Sequence, residues 1–357
     1  MWPAATFDVA EGEFNVSAQT ATAFQLDYVK TIGSVTVQLG RGFVNPYDVV
    51  TSQDGRIFVL NRCDSARASL VRVGIINWEE DYLGEFGKGY GPDDGKLMMP
   101  VAMALDSQER FHITDEHTHQ VSIFDLSGEF VKKWGGPGSG DGEFNGPAGI
   151  AIDADDHIYV ADQHNHRIQK FTADGQYVAQ WGGAGSEPGQ FNMPWGVTVD
   201  AQGDVYVADW RNDRIQKFTN NGAFLTSYGE SGEGNGQLHR PSGVAVDSDG
   251  YMYVTDWGNE RLQVLSPDGD CVDNRRGQAT LSKWAAEFFE VNPDERETRA
   301  ASNLFPDLPS HLSAPHHVSS QTEAYFWGPV SVRLDREGRL FVVEANRHRI
   351  QIYQRSK

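Results

Sequence analysis

The stretch YVADQHNHRIQKF, residues 159–171, sets His164 and His166 two positions apart beside Asp162. Two imidazoles and a carboxylate are residue types that hold a divalent metal such as zinc, each ligand nitrogen standing about 2.1 Å from the ion. A wider set, His117, His119 and His348 with His311, His316 and His317 further along the chain, offers ligands for the same cofactor. Tyr47 and Asp48 stand side by side as a candidate acid–base pair, with Arg62 to hold an anion and Cys63 as a thiol that could be a nucleophile. The plainer readings are a strand cap for Asp48 and an unreactive thiol for Cys63, to which no histidine partner can be assigned. No G-x-S-x-G elbow, phosphate loop or HExxH helix occurs. The elements that carry these residues decide between the readings.

Those elements repeat. Pro100, Pro147, Pro194 and Pro241 follow one another at intervals of 47 residues. PAGIAIDADDHIYVADQHNHRIQKF is followed by PWGVTVDAQGDVYVADWRNDRIQKF and PSGVAVDSDGYMYVTDWGNERLQVL, and preceded by PVAMALDSQERFHITDEHTHQVSIF. More divergent copies begin at Pro46 and Pro329, making six. Each copy holds four short β-rich runs divided by turn pairs such as Asp174-Gly175, Asn221-Gly222 and Asp249-Gly250. A four-stranded sheet cannot bury both its faces alone, whereas six arranged radially can, so the pattern predicts an all-β, six-bladed propeller.

The recurring D-x-x-N-x-R-I signature, Asp162-Asn165-Arg167-Ile168, Asp209-Asn212-Arg214-Ile215 and Asp256-Asn259-Arg261-Leu262, resembles the NHL repeat. The resemblance covers about residues 24–357 apart from one insertion. WD40 repeats are shorter and carry Trp-Asp, where this chain has Asp209-Trp210. The last copy lacks a fourth strand, and FQLDYVKTIGS near the N-terminus matches that strand, so residues 24–33 are expected to close the ring, with 1–23 as an extension. The resemblance implies that Asp, Asn and Arg pair to fix the loop after the second strand, which makes His164 and His166 scaffold positions. The NHL family also includes an amidating lyase of peptidyl-hydroxyglycine with histidine-held zinc, some ligands following the blade-opening proline. Here Tyr47, Val101, Ala148, Trp195, Ser242 and Val330 take those places, so that activity is not carried over.

Function is then sought where copies disagree. Blade 1 has Asn61 and Arg62 in its second-to-third-strand loop; blade 2 has Asp115, Glu116, His117, His119 and Gln120; blade 6 has Glu344, Arg347 and His348. Blades 6, 1 and 2 are neighbours, so these departures gather on one side of one face. Blades 4 and 5 present Trp195, Trp210, Arg211 and Trp257 opposite them. A charged side facing an aromatic side suits a small-molecule or peptide ligand with a polar group. The catalytic candidates are therefore Asp48, Tyr47, Arg62, His117 and Arg347. The binding candidates are Asn61, Glu116, Trp195, Trp210, Arg211, Trp257 and Glu344. The metal candidates are His117, His119, His316, His317 and His348, with a divalent ion such as zinc as cofactor. Phe86, Trp134, Trp181 and Tyr228 recur at one fourth-strand position and read as packing residues.

Pro241 to Pro329 is 88 residues, 41 more than the repeat, and the excess falls at about 276–325. SKWAAEFFEV places Trp284, Ala285, Phe288 and Phe289 on one helical face; a second helix starts with Asn292 as cap and Pro293 in its first turn. The following PDLPSHLSAPHHVSSQ reads as irregular. The segment is expected as a lid on the channel mouth, the alternative being a patch docked on the ring's side. A net charge of −20 disfavours nucleic acid and anionic membranes. No apolar run spans a bilayer, no leader is visible, and the two cysteines make no disulfide framework, so a cytoplasmic location is the default. Two readings stay open: a ligand-binding propeller with an axial-pocket lyase or hydrolase site, and a non-catalytic scaffold for a protein or peptide.

Overall fold

The computed structural model describes residues 24–36, 38–63 and 65–356; the expected extension 1–23 lies outside them. Six four-stranded antiparallel sheets form the ring. Blade 3 is typical, with strands Pro147–Ile152, Ile158–Asp162, Arg167–Phe171 and Tyr177–Gly182 in sequential order. Its second and third strands are buried along their whole length, while the fourth alternates with solvent. This gradient explains why the inner strands read as unbroken β-branched runs and the outer ones alternate.

Register is set the same way in every blade. The opening proline pairs with the last residue of the second strand: Pro46↔Asn61, Pro100↔Asp115, Pro147↔Asp162, Pro194↔Asp209, Pro241↔Asp256 and Pro329↔Glu344. A register shift follows each proline. Proline has no N–H to give the ladder, so the strand bulges there.

The fourth-strand aromatics seal blade against blade. The Trp134 ring lies 4.6 Å from Phe171, and Phe86 lies 5.0 Å from Phe111 of the next blade. Gly175, at φ +75°, lets the blade 3 turn sit on Trp134, where a Cβ would come within 2.7 Å of the ring.

Ring closure is as expected. Leu26–Ile32 pairs antiparallel with Arg349–Arg355, from Leu26↔Arg355 to Ile32↔Ile350, and becomes the outer strand of blade 6. No disulfide joins Cys63 and Cys271. No helix among the described residues is long and apolar enough to cross a membrane.

The insertion holds three helices, α1 (Lys283–Val291), α2 (Pro293–Ala301) and α3 (Pro315–Gln321). Ser282 caps α1 by accepting from the Ala285 N–H at 3.2 Å. α3 corrects the irregular reading of that stretch: Pro315 occupies its first turn, where a missing N–H costs nothing. The expected apolar face of α1 is also narrower than its sequence. Trp284 is buried against Phe43 and donates its indole N–H to the Glu80 carbonyl at 2.6 Å, whereas Phe288 is 51% exposed. Glu80 lies in the turn between the two outer strands of blade 1. α1 is thus fastened to the flank of the ring at the blade 6–blade 1 seam.

Candidate functional site

The bulge after each proline turns the next residues toward the ring axis, and the copies stack them in layers. Two positions past the proline stand Asp48, Ala102, Gly149, Gly196, Gly243 and Ser331. A Cβ on Gly149 would lie 2.4 Å from the Trp195 carbonyl, and one on Gly196 2.6 Å from the Ser242 carbonyl. Blades 3 to 5 therefore converge to backbone contact, and room for side chains remains beside blades 6, 1 and 2. Asp48 fills it. Its Oδ1 accepts from Ser331 Oγ at 2.6 Å and Arg333 Nε at 2.9 Å; its Oδ2 accepts from Met103 N at 2.9 Å and from Arg333 Nη2. Both oxygens are engaged and the group is 1% exposed. Where the acid–base reading of Asp48 with Tyr47 expected a reacting group, the structure places the carboxylate at the centre of an axial plug, with both oxygens taken up by Ser331, Arg333 and Met103. The cavity above it, lined by Tyr47, Trp195 and Ser242, measures about 30 Å³, room for about one water.

The face above the plug is set by the residue after each motif carboxylate or its substitute: Arg62, Glu116, Gln163, Trp210, Trp257 and Ala345. These form two arcs. Arg62 pairs with Glu116 and lies 4.7 Å above the Tyr47 ring, and Gln163 Nε2 reaches the other Glu116 oxygen at 3.5 Å. Across the mouth, Trp195 and Trp210 are 6.3 Å apart, as are Trp210 and Trp257. Arg240 and Arg211 lie 5.0 and 5.5 Å from the Trp210 ring. The structure thus brings together Tyr47, Arg62 and Glu116 on one side, and Trp195, Trp210, Trp257 and Arg211 on the other. Gln163 and Arg240 were not foreseen, although position within the repeat would have found Gln163.

Other candidates turn out to hold the scaffold. Glu344 accepts from Arg349 and Gln351, each at 2.8 Å, and from Trp327 N at 3.2 Å, the contacts that Asp162 makes with Arg167, Gln169 and Asn145 N. It is the motif carboxylate of blade 6. Asn61 is its amide counterpart in blade 1, accepting from Val44 N at 2.8 Å, and the arginine of that blade, Arg72, pairs instead with Glu85 at 2.9 Å. Arg347 stands where blades 3 to 5 have asparagine, Asn165, Asn212 and Asn259. Its longer side chain donates to the carbonyls of Ser319 at 2.8 Å, Ser320 and Thr322, tying down the C-terminal end of α3. That contact assigns it to the insertion, not to catalysis.

The histidines separate on geometry as well. His119 and His348 sit just before a third strand with φ of 57° and 54°. Their Nδ1 atoms accept from the Gly146 and Asn45 amides of the next blade, at 3.0 and 2.9 Å. An imidazole accepting through Nδ1 carries its proton on Nε2 and keeps no lone pair for a metal. His166 latches Met193 N in the same way at 3.2 Å, while Asp213 and Glu260 serve the next two seams, to Arg240 N at 2.7 Å and Gly328 N at 2.6 Å. Asp162 meanwhile receives Asn165 and Arg167, each at 2.8 Å, as the scaffold reading required. In blade 1 the latch position is Val71, and the Met99 amide turns to Asp115 of its own blade at 3.0 Å.

His117 is exposed, and His316 and His317 stack on each other at 3.9 Å within α3. The histidines of the expected metal set supply no group of three mutually close ligand atoms among the described residues. The cluster with that spacing is Asp153, Asp155 and His157 in a blade 3 turn. There Asp153 already accepts from two turn amides and from Tyr159 Oη at 2.9 Å. The zinc expectation therefore has no ligand set in this geometry.

Comparison with known proteins agrees with the repeat geometry. Residues 191–218, 238–265 and 326–353 match the NHL repeat model, and residues 95–182 match the family described as 6-bladed beta-propeller. The chain is an NHL-repeat six-bladed β-propeller. None of the curated proteins matches it in sequence. Among solved structures it is similar to a streptogramin B lyase at 15% identity and TM-score 0.54, covering 93% of this chain and 98% of that one. Virginiamycin B lyase from Staphylococcus aureus, in a catalytically inactive form with quinupristin, is similar at 14%, TM-score 0.53 and coverages of 90% and 82%. An auxiliary nutrient binding protein from Bacteroides thetaiotaomicron is similar at 11%, TM-score 0.60 and coverages of 94% and 77%. At such identities the likeness is one of fold.

In this NHL propeller no residue of the insertion lines the axial cavity. α1 holds the flank, and α3 rests by the Trp257–Asn259 turn beside the tryptophan arc, held by Arg347 and by Arg276, which donates to the Pro315 carbonyl at 3.1 Å. Below α3, burial pushes the Glu260 carboxyl up to about 7, against the Gly328 N–H and nearby Arg276 and Arg347, which favour the anion; Glu344 adds to the rise. An acid raised above its ordinary 4.5 favours the fold while protonated, and that advantage is lost as pH climbs through about 7. Glu260→Gln keeps an acceptor for Gly328 and removes the buried charge. It is expected to raise the melting temperature at pH 8, by up to ~3 kcal/mol in stability, and to change little at pH 5. Thermal melts at both pH values check this; a loss of stability at pH 8 would contradict it.

Proposed function

We propose that the loop face of this NHL propeller binds a small organic or peptide ligand carrying a flat apolar group and an acidic group, and that binding is its primary activity. The observation that carries the reading is the unbroken arc Trp195–Trp210–Trp257, half-buried, flanked by Arg211 and Arg240 and facing the Arg62–Glu116 pair. Large rigid rings offer contact area at small entropic cost, and arginines beside them favour a carboxylate. Arg62 Nη1 is buried without a partner, a donor that a ligand oxygen could satisfy. The likeness to a nutrient binding protein is in keeping with this reading. The test is a fluorescence screen of aromatic carboxylates and short acidic peptides, followed by titration of the best binder. Trp210→Ala is expected to weaken it at least about tenfold while shifting stability by under ~1 kcal/mol, since the ring is partly exposed. Unchanged affinity would refute the site.

The likeness to two lyases favours a second reading, a lyase acting on a compound of the quinupristin type at the same face. Glu116 and His117 are the acid–base groups such a reaction would draw on. Incubation with quinupristin followed by chromatography separates the two readings: consumption that disappears in His117→Ala would replace binding with turnover.

A further inference from the structure

The plug that closes the loop-face cavity is also the floor of a second one. Arg333 lines both, and from the opposite face a cavity of about 360 Å³ runs inward along the axis to its guanidinium. Val49, Met103, Leu105, Ile152 and Val199 of the first strands and Phe341 of the second strand of blade 6 give the walls their apolar part, and Thr51, Thr198, Asp106, Glu109 and Asp335 line it beside them. The volume is that of a small-molecule site, and the lining mixes an apolar strip with polar and charged groups.

Charge decides the occupant. Asp106 is paired with Arg110 at 2.7 Å and Asp335 with Arg339, and each also accepts turn amides, so both carboxylates are spoken for. Glu109 accepts the Gln53 amide at 2.6 Å. The hydrogen bonds of Arg333 run through Nε and Nη2 to Asp48 and to the Met103 carbonyl, which leaves its Nη1 without a hydrogen bond. Arg336 stands exposed at the mouth. The donors left over are guanidinium N–H groups of Arg333 and Arg336.

The geometry points to a second ligand site, on the face opposite the tryptophan arc, that takes a small carboxylate with a short apolar chain. The chain lies along the first-strand walls and the carboxylate meets a guanidinium. This site does not depend on the loop-face reading, because none of the tryptophans lines it.

Hexanoate and hexylamine serve as matched probes, their binding followed by calorimetry and by chemical-shift changes of the full chain. Hexanoate is expected to bind in the millimolar range or tighter, at least about tenfold better than hexylamine. Ala104→Leu narrows the chamber and should abolish binding. Arg336→Ala should weaken it several-fold. Should Ala104→Leu fold poorly, Thr198→Leu fills the same chamber from blade 4. Equal binding of the two probes, no hexanoate binding at tens of millimolar, or unaltered binding in a folded chamber-filling variant would each overturn the site. Trp210→Ala should leave hexanoate affinity unchanged, and a loss there would move the probe to the loop face and equally overturn it.

Discussion

Asp48→Ala is expected to destabilise the protein by about 3–5 kcal/mol, the cost of leaving one member of a buried ion pair without its partner. Asp48 is 1% exposed and the Arg333 side chain only 22%, so water can compensate the stranded guanidinium in part. Removal also orphans Ser331 Oγ and the Met103 amide, which Asp48 now receives. The double variant Asp48→Ala with Arg333→Met should regain most of the loss, because an apolar side chain in the plug neither needs a counter-charge nor leaves a donor unmet. Urea unfolding of the two single variants and the double variant measures the coupling. If Asp48→Ala alone costs under ~1 kcal/mol, the pair is not a buried plug and the two axial cavities are not separated by it.

Blade count, strand order and closure were legible in the sequence because each rests on a backbone requirement that recurs. A proline opens every first strand, and a carboxylate or its amide ends every second. The tryptophan arc was legible for the opposite reason: Trp195, Trp210 and Trp257 depart from the columns they stand in. The histidines misled because residue type was weighed before position. His119, His166, Asp213, Glu260 and His348 share one column, just before the third strand, and one task, accepting the next blade's amide from a left-handed backbone. Read as acceptors, imidazole and carboxylate are interchangeable there; read as chemistry, three of the five look like metal ligands. Arg333 was missed because its column is otherwise small or apolar, with Val50, Ala104, Ala151, Thr198 and Ala245. Two positions earlier in its blade lies the axial layer that holds Asp48, and alternation along a strand puts both on the channel side. A lone positive charge and a lone negative one in adjacent axial layers are a pairing signal that needs no structure. α3 gave no such signal, since two histidines, a valine and two serines are weak helix formers and its hold comes from Arg347 of blade 6.

Deleting residues 1–33 should be the most damaging change of all. The strand Leu26–Ile32 supplies Ile32, fully buried with Phe43, Val49 and Ile350, and Leu26, buried against blade 5 residues such as Tyr253. It also links three parts of the molecule. It pairs with Arg349–Arg355, it meets the insertion where Tyr28 Oη accepts the Thr280 amide at 3.1 Å, and the following Gly33 N–H reaches Glu80 of blade 1 at 3.2 Å. Without it, Arg349–Arg355 becomes a bare edge of seven residues at the one place where the ring has no covalent continuity, open to pairing with a second chain. A single cavity-forming change, Ile32→Ala, is expected to cost ~2–5 kcal/mol. Loss of the whole strand should exceed that and approach the ~5–15 kcal/mol that holds a typical domain folded, so the product is expected to aggregate. Size-exclusion chromatography and urea unfolding read the outcome directly. A truncated chain that stays monomeric and as stable as the parent would mean that the ring is closed by contacts between blades 6 and 1 rather than by this strand, and the pairing of Ile32 with Ile350 would then carry no weight in the fold.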